Sequence, residues 1–266
     1  MQDDAMDLDL DAYLRRIGHP GKPEPTLACL RDVHLAHAVS IPFENLDILL
    51  GRPIRLDLEG LQAKLVTGGR GGYCFEQNSL LAAALESIGF TVTRLAARVR
   101  FGRREIGARS HMLLRVETDG GPWLADVGFG GSGLLQPMAF EPGPSVEQFG
   151  WSYRLIPDGP ERVLQTEGPD GWADQYAFTL EPQHPIDYEV ANHYTSTHPD
   201  SPFTRTLTAQ RPEPGSPEVR VVLRGRKLSE YRPGGRSATE RISDHDLVNV
   251  LAGRFGLVFP ASTRFP

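Results

Sequence analysis

Up to about residue 90 the apolar positions recur at intervals of three and four, and beyond Gly89 they recur at intervals of two. Leu8, Leu10, Tyr13, Leu14 and Ile17 make the first helical stripe, which Gly18 ends. Thr26 stands where a hydroxyl caps a second helix carrying Leu27, Leu30, Val33, His34, His37 and Ala38. The apolar and acidic run Ile41-Pro42-Phe43-Glu44-Asn45-Leu46-Asp47 reads as a loop followed by a turn of helix. Leu56 to Leu65 reads as another short helix, which the glycines around Arg70 cannot continue. A buried helix is expected next, with Leu80, Leu81, Ala84, Leu85 and Ile88 on one stripe.

Alternation takes over at Thr91, whose strand reaches Phe101 and a polar loop, Arg103-Arg104-Glu105. Ser110 to Glu117 and Pro122 to Val127 flank Asp119-Gly120, a strong signal for a two-residue hairpin turn. With those two residues at the turn, Val116 faces Trp123, Leu114 faces Ala125 and Met112 faces Val127, a wholly apolar core face. The opposite face carries His111, Leu113 and Arg115 beside Leu124 and Asp126, so His111 and Asp126 become diagonal neighbours. A slip by one residue separates them and buries Arg115 and Asp126 in the core, so the pattern selects this register.

From 134 to about 190 short apolar runs alternate with turns, among them Trp151 to Ile156, Arg162 to Gln165 and Trp172 to Leu180. Such regularity suggests a barrel or sandwich. Tyr188 to Thr197 reads as a connecting helix or an extended linker. Residues 217–223, 227–231 and 238–242 read as an antiparallel set, and Ser243 to Asp246 opens a last helix that Gly256 closes.

Composition narrows the function classes. The net charge of −6 implies no basic surface for nucleic acid. Cys29 and Cys74 form no disulfide framework and suit a reduced, cytoplasmic setting. Met1-Gln2-Asp3-Asp4 is acidic and lacks the apolar stretch of a signal peptide. No run approaches the roughly 18 apolar residues of a membrane helix.

Candidate chemistry starts at Cys74, which a two-glycine turn delivers to the head of the helix ending at Ile88. Free N–H groups and the helix dipole favour a thiolate there, so Cys74 is a candidate nucleophile. His111 and Asp126, paired on one hairpin, supply a proton carrier and the carboxylate that orients it. Together the three make a set suited to acyl transfer, although spacing alone does not bring Cys74 to the hairpin. His34 and His37 share a helix face, but no cysteine or carboxylate nearby completes a metal site, so they read as ordinary helix histidines. The glycine-rich stretch Gly128 to Gly133 lets backbone N–H groups approach a ligand, but it lacks the phosphate-loop motif.

Five stretches, in order, carry a family resemblance: Ile41 to Leu46, Arg70 to Asn78, Ser110-His111, Asp126 to Gly130, and Ser196 to Phe203. The run R-G-G-x-C-x-E-x-N is the most specific of them. The chain resembles the arylamine N-acetyltransferases over most of its length. The resemblance implies an α+β fold with an N-terminal helical bundle (1–90), a central antiparallel β-barrel (91–190) and a linker with a C-terminal α/β lid (191–266), around a cysteine-protease-like Cys-His-Asp core. It implies catalytic roles for Cys74, His111 and Asp126, and acyl-donor contacts from Ser110, Gly128, Phe129 and Gly130. It also implies an acceptor pocket of Phe43, Phe129 and Phe203, acetyl-CoA as donor substrate, and no metal. The expected reaction is ping-pong N-acetylation of arylamines and arylhydrazines through an acetyl-Cys74 intermediate, with O-acetylation of N-hydroxyarylamines beside it.

Two features depart from the family pattern: the chain stops at Pro266 soon after its last helix, and Ala108-Arg109-Ser110 is more basic than the expected lead-in to His111. Arg103, Arg104 and Arg109 are candidates for CoA phosphates, with solvated loop arginines as the plainer reading. One rival function is an amide synthase of the same fold, releasing a polyketide onto an aromatic amine. The other is a hydrolase or transglutaminase with Cys-His-Asp chemistry. The acceptor distinguishes them.

Overall fold

The computed structural model describes residues 7–102 and 105–266, so Arg103, Arg104 and the first six residues lie outside it. Helices α1 (Leu10–Ile17) and α2 (Leu27–Ser40) open the chain. The Thr26 hydroxyl accepts from the Cys29 amide, and Gly18 ends α1 with a left-handed φ of 69°. A two-residue strand β1 (Phe43–Glu44), a turn α3 (Leu46–Leu49) and a turn α4 (Leu58–Leu61) follow. The short helix expected to end at Leu65 instead widens into a π-helical segment over Gln62–Thr67, where the Gly68 amide reaches back to the Ala63 carbonyl. Helix α5 (Cys74–Ile88) begins at the cysteine itself.

Eight strands then form one barrel-like sheet: β2 (Val92–Val99), β3 (Arg109–Thr118), β4 (Gly121–Ala125), β5 (Met138–Ala139), β6 (Val146–Gln148), β7 (Trp151–Asp158), β8 (Glu161–Gly168) and β9 (Gly171–Pro182). Their spatial order is β5-β4-β3-β2-β9-β8-β7-β6. The β3–β4 register is the expected one, with Leu114 opposite Ala125, Val116 opposite Trp123 and Thr118 opposite Gly121. The apolar face is buried as expected, but the expectation that this register keeps Asp126 out of the core is corrected, because the opposite face is buried too and Asp126 with it. Met112, Leu114, Val116, Ala125 and Val127 pack on the helices, while Leu113 and Leu124 join Tyr153, Tyr176 and Phe178 inside the curled sheet. Curling the sheet turns its second face inward and carries His111 and Asp126 into the interior.

Tyr188 to Thr197 belongs to a helix, α6 (Pro185–Thr197), which starts at a proline suited to the first helical position. The short α7 (Pro202–Arg205) leads to β10 (Thr208–Glu213), β11 (Ser216–Arg224), β12 (Lys227–Arg232) and β13 (Gly235–Arg241), and α8 (Leu247–Phe255) covers them. This second sheet has the order β1-β10-β11-β12-β13. Strand β10 had no counterpart in the sequence reading. It pairs with β1, placing Phe43 opposite Gln210 and so joining the first ninety residues to the last sixty. The whole is an α+β fold. None of its described helices is long and apolar enough to cross a membrane.

Candidate active site

The stretch ahead of Cys74 is sewn to β1. Glu44 N donates to the Gly72 carbonyl (3.0 Å) and Gly72 N to the Pro42 carbonyl (3.3 Å). A side chain at 71 would put its Cβ 2.0 Å from the Pro42 oxygen, so only glycine fits there. Arg70 is pinned by Glu44 (2.6 Å) and Asp47 (3.1 Å), and Lys64 by Asp47 (3.1 Å) and Glu76 (2.7 Å). The second oxygen of Glu76 accepts from the Tyr73 amide at 3.1 Å, fixing the start of α5. Cys74 thus sits on a braced helix head, 4 % exposed, and its thiol donates to the Ser110 carbonyl at 3.5 Å.

His111 and Asp126 meet as the hairpin register requires: Nε2 lies 2.7 Å from Oδ2, both side chains buried. The other Asp126 oxygen accepts from Asn78 Nδ2 (2.9 Å) and from Gly128 N (2.9 Å). With Nε2 engaged by the carboxylate, the remaining ring nitrogen is left for the thiol. Burial works against a charged ring at His111, but Asp126 and then Cys74 outweigh it and push the imidazole up to about 10. Burial works equally against a charged Asp126, yet His111, Asn78 and the Gly128 amide hold it below the usual carboxylate value. Both shifts favour an imidazolium–carboxylate pair.

Two supporting residues carried no role in the sequence reading. Asn78 donates to the Met112 carbonyl (2.7 Å) as well as to Asp126, and accepts from the Val127 amide (3.1 Å). Its signal was available: four residues after Cys74, it shares that helix face. The reading of His34 as an ordinary helix histidine is refined. Its Nε2 accepts from the Asp126 amide (3.1 Å) while Nδ1 donates to the Leu135 carbonyl (3.1 Å), an arrangement that fits only the neutral ring. Burial pushes it down to about 4. His37 bonds Tyr13 (2.8 Å) and Gln77 (2.7 Å). Among the described residues no group of three His, Cys, Asp or Glu side chains is arranged to hold a metal.

Cys74 and His111 line a cleft of about 720 Å³, with Ser110, Gly128, Phe129, Phe43 and Phe203 also in its wall. Phe129 stands edge-on to the His111 ring at 5.2 Å, and Phe43 and Phe203 are 6.0 Å apart. Gly131 and Ser132 also line the cleft, whereas Gly130 is not among its lining residues. A side chain at 128 would bring its Cβ 2.7 Å from the Cys74 Cα, so the glycine lets the loop lie on the nucleophile's helix. Arg109 faces Glu181 at 2.8 Å.

The profile of a family described as N-acetyltransferase matches residues 26–264. An arylamine N-acetyltransferase of Mycolicibacterium smegmatis is 42% identical over 261 residues, covering 95% of this chain and 93% of its own. A Salmonella typhimurium protein named arylamine N-acetyltransferase / N-hydroxyarylamine O-acetyltransferase is 36% identical over 252 residues, covering 93% and 88%. The solved structure of Mycobacterium marinum arylamine N-acetyltransferase in complex with CoA superposes with a TM-score of 0.87 at 38% identity, covering 93% of this chain and 92% of that one. Fold and sequence together define an acyltransferase. The chain belongs to the arylamine N-acetyltransferase family.

Proposed function

We propose that this chain moves an acetyl group from acetyl-CoA to an aromatic amine or hydrazine by way of acetyl-Cys74. The observation that carries the reading is the buried Cys74–His111–Asp126 array opening into a cleft walled by Phe43, Phe129 and Phe203. In the first half-reaction the Cys74 sulfur attacks the thioester carbonyl, the carbon–sulfur bond to CoA breaks, and the leaving sulfur takes a proton from the His111 imidazolium. In the second, the amine nitrogen attacks the acetyl-cysteine, His111 accepts the amine proton, and the amide leaves as the Cys74 sulfur is released. Asp126 holds the ring and supports its charge throughout. The three phenyl rings suit a planar acceptor.

In this reading the helical part of the chain brings the nucleophile, the barrel-like sheet brings base and carboxylate, and the later segment brings Phe203. Ser110, Gly128 and Phe129 border the acyl-donor route, with Gly130 behind them. N-hydroxyarylamines are further acceptors, in keeping with the name of the Salmonella relative. The two free cysteines suit a cytoplasmic setting, and small molecules are the partners, with neither nucleic acid nor membrane among them. Turnover of acetyl-CoA across anilines, hydrazines and water tests the assignment. Release of CoA dependent on an arylamine is expected. Equal turnover with water alone would instead indicate a hydrolase.

A further inference from the structure

Arg220 lies in β11, the middle strand of the five-stranded sheet, and is 2 % exposed. Its Nη2 donates to the Gly133 carbonyl and to the Tyr153 hydroxyl, each at 3.1 Å, and its guanidinium lies over the Trp151 ring, 5.6 Å from the centroid. Its Nε has no hydrogen-bond partner, and among the described residues no carboxylate lies within ion-pair distance of it. Arg70, by comparison, is held by two carboxylates. Burial lowers the guanidinium's pKa, but arginine starts so high that it keeps its proton. A buried cation without a counter-ion is costly, and a neutral amide would serve the Gly133 carbonyl equally well. The charge itself therefore needs a reason.

Gly133 closes the glycine-rich loop, its amide donating to the Gly130 carbonyl at 2.8 Å. The two residues before it, Gly131 and Ser132, line the cleft, and Gln210 Oε1 holds the Gly131 amide at 2.6 Å. Arg220 thus stands behind the cleft wall at this loop. We propose that its unpaired positive charge makes this wall selective for anionic acyl donors, thioesters that carry phosphate groups. In the protein interior such a charge is weakly screened, so it acts across the intervening loop. The inference rests on the reading that Cys74 accepts an acyl group from a thioester.

The test compares acetyl-CoA with the neutral donor p-nitrophenyl acetate on the full chain and on Arg220→Met, Arg220→Gln and Arg220→Lys. Removing the charge is expected to raise KM for acetyl-CoA by about tenfold while the neutral donor's kcat/KM stays within about twofold. Arg220→Lys, which keeps the charge, should stay near the original KM. Arg220→Gln keeps a donor for Gly133, so it serves if the Met variant does not fold. Equal losses with both donors, or an unchanged KM for acetyl-CoA in the neutral variants, would overturn the inference. If neither donor acylates the original chain, the reading of Cys74 itself fails instead.

Discussion

At the scale of single residues, the account turns on Asp126. Its carboxylate bonds His111, Asn78 and the Gly128 amide while its own amide rests on His34. Asp126→Asn keeps the shape but disturbs the tautomer and removes the charge that supports the imidazolium. By analogy with the serine triad, we expect a fall in kcat of about 10⁴-fold. Activity within tenfold of the original, measured by acetyl-CoA turnover, would contradict the role given to it.

The same pair predicts a pH dependence of stability. His111 is raised from 6.5 to about 10, so its contribution is complete below 6.5 and is lost as pH rises through about 10. Asp126 is lowered from 3.8, so its contribution is complete above 3.8 and is lost as pH falls through its folded-state value. The Tm difference between the original chain and Asp126→Asn should therefore be widest at about pH 5 to 6 and narrow towards pH 10. A difference that grows with pH across that range would refute the ion pair.

At the scale of elements, the sequence was most informative where a local period met a turn signal. Asp119-Gly120 and the alternation around it specified the β3–β4 register, and with it the His111–Asp126 pairing. The head of α5 was equally legible, because the two glycines before Tyr73 interrupt one helix and the apolar stripe announces the next. Features set by distant contacts were not legible. β1 is two residues long and exists because β10 pairs with it, and the π-helical turns ending at Thr67 place Lys64 between Asp47 and Glu76. Neither has a sequence period of its own. The burial of the second hairpin face was hidden for a related reason: closure of a sheet depends on strands fifty residues further on. A test at this scale is Gly128→Ala, whose Cβ would sit 2.7 Å from the Cys74 Cα. Strain from overpacking of about 1–3 kcal/mol should displace the loop and slow acylation about ten- to a hundredfold. Unchanged acylation with acetyl-CoA would show that the loop–helix contact does not position the nucleophile.

At the scale of the whole molecule, three regions converge on one cleft, and Arg70 links two of them. Its guanidinium joins the fully buried Glu44, Asp47 and, 4.4 Å from the ring centroid, Phe259 of the C-terminal segment. Arg70→Met leaves Glu44 without that partner, and thermal or denaturant unfolding should show a loss of about 3–5 kcal/mol. A loss below about 1 kcal/mol would mean that Lys64 compensates fully. The sequence placed Arg70 in a specific motif, but its partners lie at 44, 47 and 259, separations at which no periodicity reports. The ordered stretches read as a family resemblance supplied that long-range information, and the match to the family over residues 26–264 agrees with them.

The central claim is that Cys74 carries the acyl group. Mass spectrometry of the chain after brief exposure to acetyl-CoA without acceptor, followed by peptide mapping, tests it most directly. The account predicts one added acetyl group on the peptide containing Cys74, none in Cys74→Ser at the corresponding position under brief exposure, and loss of the label on adding an arylamine. Arylamine acetylation with no label on Cys74, or with full activity in Cys74→Ala, would contradict it.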